Sequence, residues 1–73
     1  MTSDALRQAR DRATEAWGQR FKHVKAANNW TAIAAAETDP IKKKVYEILA
    51  SWMEAYADAD AEHERRFTEL AAQ

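Results

Sequence analysis

The chain has 73 residues, a net charge of −1 and no cysteine. A length of this kind holds one small domain, whose core seldom contributes more than about 3–5 kcal/mol without a disulfide, a metal or a partner subunit. The missing cysteines exclude a disulfide framework, a thiolate metal site and a thiol nucleophile, and one glycine and one proline in all exclude a hairpin-rich all-β fold.

The first predicted element is an amphipathic helix over 3–27. Leu6, Ala9, Ala13, Trp17, Phe21 and Val24 recur every three or four residues and so share a face. Ser3 is the expected N-cap, with Asp4 beside the positive end of the helix dipole. Gly18 interrupts good helix formers at a cost of about 1 kcal/mol, which marks a place where a large side chain of another helix packs close.

Asn28 and Asn29 suit a helix stop and a new start, because Asn tolerates left-handed backbone and also caps. A short linking helix is expected over 30–37. Asp39-Pro40 is the clearest local signal: Asp caps, and Pro at the first helical position gives up an N–H that has no partner there.

From there an apolar stripe runs through Ile41, Val45, Leu49, Trp52, Tyr56, Ala59, His63, Phe67 and Leu70. It predicts one helix over 40–71, with a break near Asp58–Asp60 as the alternative, since Asp is a poor interior residue. The fold class is therefore all-α, a single domain over 1–73. The expected architecture is an antiparallel helical hairpin with a short linking helix, three helices in all.

Packing the two stripes together sets Phe21 opposite Ile48, Trp17 opposite Trp52, Ala13 opposite Tyr56 and Leu6 opposite His63. Phe67 and Leu70 then overhang the start of the first helix. Of 34 apolar residues 17 are alanine, so two helices cannot enclose a core. The expected completion is a homodimer that forms a four-helix-type bundle. Trp17, Trp52, Tyr56, Phe67 and Leu70 are the expected self-association residues.

The net charge conceals a division. Residues 20–44 hold Arg20, Lys22, Lys25, Lys42, Lys43 and Lys44 against Glu37 and Asp39, a net +4, and the remainder is −5. Folding the chain about 28–40 gathers the basic part into one pole at the loop end. Arg7, Arg10 and Arg12 are expected opposite Asp58, Asp60 and Glu62, although exposed pairs contribute only about 0–1 kcal/mol each. Lys42–Lys44 lie near a helix N-terminus, where cations are disfavoured. Their presence there has two readings, a solvated cap or contact with an anionic partner.

Little catalytic chemistry is visible. Asp60 and His63 are spaced like one arm of a di-iron bundle site, but the further inward carboxylates would have to come from Glu15 or Glu54. Asp58, Asp60, Glu62, Glu64 and Glu69 fit a calcium-loop spacing that has His63 in place of the required glycine. No Ser or Thr has a His and an acid at an interpretable spacing. No metal, cofactor or enzymatic activity is expected.

The expectation is a small non-enzymatic binding or regulatory protein, an adaptor acting through protein–protein contacts. Its partner-binding residues are Lys22, Lys25, Trp30, Lys42, Lys43 and Lys44, together with an apolar helical face. The alternative is nucleic-acid binding, with phosphate contacts through the same basic pole and a base stacked on Trp30. No run is apolar and long enough, at roughly 20 residues, to span a membrane. No charged-then-apolar leader opens the chain, so a cytoplasmic location is expected.

Overall fold

Residues with high helix propensity occupy nearly the whole chain. In the computed structural model of the protein, which describes residues 2–73, they form two long helices: α1 (Ser3–Ala36) and α2 (Pro40–Ala71). The helices pack antiparallel as a hairpin whose principal extents are 56 × 12 × 12 Å.

Two helices stand where three were expected. Asn28 and Asn29 are helical and exposed within α1, and no linking helix is set off from it. The physical reason is packing across the hairpin. Each Asn costs at most about 0.7 kcal/mol in a helix interior, whereas continuing the helix places Ala27, Trp30 and Ala34 against α2. Trp30 stacks on Tyr46 with ring centroids 5.7 Å apart and planes at 16°. Helix α2 is likewise unbroken through Asp58 and Asp60.

The helix ends follow their local chemistry. Thr2, rather than Ser3, caps α1: its backbone is extended and its Oγ1 accepts a hydrogen bond from the Ala5 N–H at 3.2 Å. Asp39 caps α2, its Oδ1 accepting from the N–H groups of Ile41 (2.9 Å) and Lys42 (3.3 Å), and Pro40 follows in the first helical turn. Glu37 closes α1 by donating its N–H to the Ala34 carbonyl at 3.2 Å. Its side chain also accepts from the Asp39 N–H at 3.0 Å, which tightens the turn.

The seam between the helices is made of small residues. Among the described residues the buried side chains are Ala9, Ala16, Ala27 and Ala34 on α1 and Ala50 and Ala57 on α2. With half-buried residues filled in, the inner row of α1 reads Ala9, Ala13, Ala16, Arg20, His23, Ala27, Trp30, Ala34. The inner row of α2 reads Tyr46, Ala50, Met53, Ala57, Asp60, Glu64, Phe67, Ala71. Both alternate steps of four and three, the 3.5-residue period of a left-handed supercoil. Methyl groups along such a row let two helices approach toward the close end of the usual 8–10 Å range.

The stripes expected to meet therefore do not. His23 faces Asp60 and Arg20 faces Glu64, so these partners lie about four turns further along α2 than the expected register sets them. Extending α1 to Ala36 moves the turn to 37–39 and makes the helices nearly equal, 34 and 32 residues. No overhang results. Phe67 is half-buried in the inner row, and Leu70 is the large apolar residue exposed near that end among the described residues.

Candidate interaction surface

What the seam leaves out defines the surface. Exposed large apolar residues are Trp17, Phe21, Val24 and Ile33 on α1, and Ile41, Val45, Ile48, Trp52, Tyr56 and Leu70 on α2. Phe21 is 64% exposed, Trp52 58%, and Trp17 and Tyr56 54% each. Trp17 and Phe21, one turn apart, stack with centroids 6.3 Å apart.

The apolar residues form two stripes. On α1 three of the four follow an inner residue by one position: Trp17 after Ala16, Phe21 after Arg20, Val24 after His23. On α2 Val45 precedes Tyr46, Trp52 precedes Met53, Tyr56 precedes Ala57 and Leu70 precedes Ala71, with the half-buried Leu49 before Ala50 in the same row, while Ile41 and Ile48 stand one position further round. One residue is a turn of about 100° round a helix axis. In antiparallel helices a forward step on one and a backward step on the other rotate in the same sense, viewed from one end. The two stripes thus lie on opposite faces of the hairpin.

The surface grooves agree with this division. Trp17 lines one with Ala13, Thr14 and Glu64, and the same face continues past Thr31 and Ala35 to Glu47, Ser51 and Glu54. Trp52 and Tyr56 share another with Ala55 alone. Ile33, which precedes Ala34, joins the α2 stripe from α1.

Polar groups in the seam are paired across it. The His23 Nδ1 lies 2.5 Å from Asp60 Oδ2, and both side chains are mostly buried. The Tyr56 ring sits 5.4 Å from the imidazole. One turn away, Arg20 Nη1 is 3.2 Å from Glu64 Oε2, an oxygen that is out of solvent and lacks an aligned hydrogen-bond donor. Asp60 is committed to His23, while His63 points outward and is exposed. Among the described residues no group of three or more His, Asp or Glu is placed to hold a metal ion.

The other charges pair within their own helices. Arg7 meets Asp4 (3.3 Å) and Arg12 meets Glu15 (2.9 Å), not the carboxylates of α2. Glu62 receives Arg65 at 2.5 Å and Arg66 at 3.0 Å, and Arg65 also reaches Glu69 at 2.7 Å. Hydrogen bonds from Arg65 and then Arg66 hold the Glu62 carboxyl below the usual glutamate range. The Arg65 guanidinium is correspondingly raised, chiefly by its hydrogen bond to Glu62.

The expected basic pole is divided. Lys42, Lys43 and Lys44 are exposed in the first turns of α2, with Lys44 3.9 Å from Glu47. Lys22 and Lys25 are exposed further down α1, beside Asn28 and Asn29. Because α1 runs on to Ala36, Lys25 lies 11 residues before the helix end, about 16 Å from it. Arg20 is drawn into the seam. Trp30 is half-buried, with one face of its ring stacked on Tyr46 within the hairpin.

Gly18 also differs from expectation. A Cβ built there meets nothing within 4 Å, since the residue faces away from α2 and no large side chain packs against it. The hydroxyls of Thr14, Thr31 and Ser51 donate to carbonyls one turn back in their own helices. No helix among the described residues is long and apolar enough to cross a membrane. Comparison with protein-family models, with curated proteins and with solved structures finds no match to this chain.

Proposed function

We propose that this chain is a small non-enzymatic protein-binding module, regulatory or adaptor in role, whose exposed apolar helix faces are covered by protein. One observation carries the reading: among the described residues the buried side chains are six alanines, while ten large apolar residues remain exposed. A hairpin of this kind gains most of its apolar burial only on association. The simplest partner is a second hairpin, giving a homodimer of four helices. The exposed lysines at 22, 25 and 42–44 add preference for partners with acidic surfaces.

The test is the dependence of thermal unfolding on protein concentration, followed by circular dichroism. A midpoint that rises with concentration supports self-association. A cooperatively folded monomer whose midpoint stays constant up to high micromolar concentration removes it.

Nucleic-acid contact through the same lysines is the second reading, and it rests on their exposure alone. Their division into two clusters and the occupied face of Trp30 weigh against it. Binding to random duplex that weakens steeply with salt would bring it forward.

A further inference from the structure

We infer that the α2 stripe is covered by the α2 stripe of a second copy of this chain, lying antiparallel across a two-fold axis near residues 49–52. The inference rests on the self-association reading and specifies which face is used and in which direction. Two features of α2 carry it. The first is a second row with its own steps of four and three: Lys42, Val45, Leu49, Trp52, Tyr56, Ala59, His63, Arg66, Leu70. This row has the same period as the hairpin seam and lies about 100° from it, so it presents a second helix-packing surface.

The second feature is charge. From 40 to 51, α2 carries Lys42, Lys43 and Lys44 against Glu47, a net +2. From 52 to 71 it carries six carboxylates against Arg65 and Arg66, a net −4. Parallel pairing would set like halves together, whereas antiparallel pairing sets each basic half on the acidic half of its partner. An isologous contact uses one patch twice, so a single helix with opposite ends satisfies both sides at once.

The row selects an alignment. With Trp52 over the partner's Leu49, Tyr56 falls over the partner's Val45 and Ala59 over the partner's Lys42. The small Ala59 leaves room for the lysine stem, and its ammonium reaches Asp58 and Glu62 on either side. His63 and Arg66 then approach the partner's acidic turn, which contains Glu37 and Asp39 in this sequence. The α1 stripe, on the opposite face, is left out of this contact.

Because the chain lacks cysteine, direction is testable with the full-length protein carrying single substitutions. Ile41→Cys and Glu62→Cys are prepared separately and mixed under mild oxidation. The expected result is a disulfide-linked heterodimer from the mixture and little linked product from either variant alone. In parallel, Trp52→Glu is expected to convert the dimer to a monomer by sedimentation, with Phe21→Glu leaving the dimer intact. Circular dichroism checks that each variant stays helical.

Efficient linking of Ile41→Cys to itself overturns the antiparallel direction but keeps self-association. A dimer abolished by Phe21→Glu and not by Trp52→Glu assigns the contact to the α1 face and likewise overturns the inference. If Trp52→Glu does not fold, the cysteine pattern alone decides. A cooperatively folded wild-type monomer removes this pairing and the self-association reading together.

Discussion

The inner seam and the outer stripes of this hairpin are built from the same helices, one residue apart, and obey opposite rules. The seam is mostly alanine, with Trp30, Tyr46, Met53 and Phe67 half-buried in it, crossed by the hydrogen-bonded pair His23–Asp60 and the ion pair Arg20–Glu64. The stripes are Trp, Phe, Tyr, Val and Ile, largely in solvent. The contrast teaches that side-chain size does not choose the seam. Small residues bring backbones together along a long row, while most of the large ones lie outside it, largely in solvent.

The sharpest way to break the comparison is to give the seam a large residue. Ala57→Leu is expected to destabilise the hairpin by about 3 kcal/mol, the upper end for overpacked interiors. Thermal denaturation checks it, and an unchanged midpoint would mean that the seam is not close-packed. Trp30→Ala is expected to cost about 2 kcal/mol, less than the ~3–5 of a fully buried aromatic because the ring is half-buried. The loss should fray α1 beyond Asn28, visible as faster amide exchange over 28–36.

Gly18→Ala acts in the other direction. The site is open and helical, so the substitution is expected to stabilise by about 1 kcal/mol. Destabilisation instead would reveal a second helix lying against that position. On the α1 stripe, Phe21→Ser is expected to shift stability by no more than about 0.5 kcal/mol, in keeping with the small value of exposed i,i+4 contacts. A larger effect in dilute solution would place Phe21 inside the folding unit and erase the contrast.

The smallest effect is electrostatic. The folded Glu62 carboxyl titrates lower than it would in an unfolded chain, so its contribution is present above the ordinary glutamate range. That contribution is lost as pH falls through the lower folded value. Carbon-13 NMR titration should give Glu62 a midpoint below that of a glutamate in an unstructured peptide, and Arg65→Gln should raise it.

Much of the fold is legible in the residues. The dominance of helix formers, Asp39-Pro40 as the start of α2 and the antiparallel hairpin all follow from local chemistry. Three features required tertiary information. Asn28-Asn29 reads as a stop because local propensity is blind to Trp30 stacking on Tyr46 across the turn. Gly18 reads as a contact because a missing side chain looks the same whether a neighbour is close or absent.

The seam was the harder case. Each helix carries two adjacent rows of the same period, and the row with the larger residues was expected to face inward. The signal for the true one is present in the sequence. Ala9, Ala13, Ala16, Ala27 and Ala34 share a row with Arg20 and His23, while Ala50, Ala57 and Ala71 share one with Asp60 and Glu64. Complementary charges embedded in two alanine rows identify partners better than bulk does. For the surface, the aromatic and lysine residues stand out by type, but their division between two faces and two clusters depends on where α1 ends.

The polar pairs also bear on how the hairpin avoids sliding. Rows of methyl groups are nearly interchangeable, so displacing one helix by seven residues would still lay alanine on alanine at many positions. Such a slip would set His23 against Met53 or Phe67, and Arg20 against Ala57 or Ala71, leaving partly buried polar groups unmatched. One correct alignment satisfies both pairs at once. His23–Asp60 and Arg20–Glu64 thus act as an index, fixing where along an otherwise repetitive zipper the two helices come to rest.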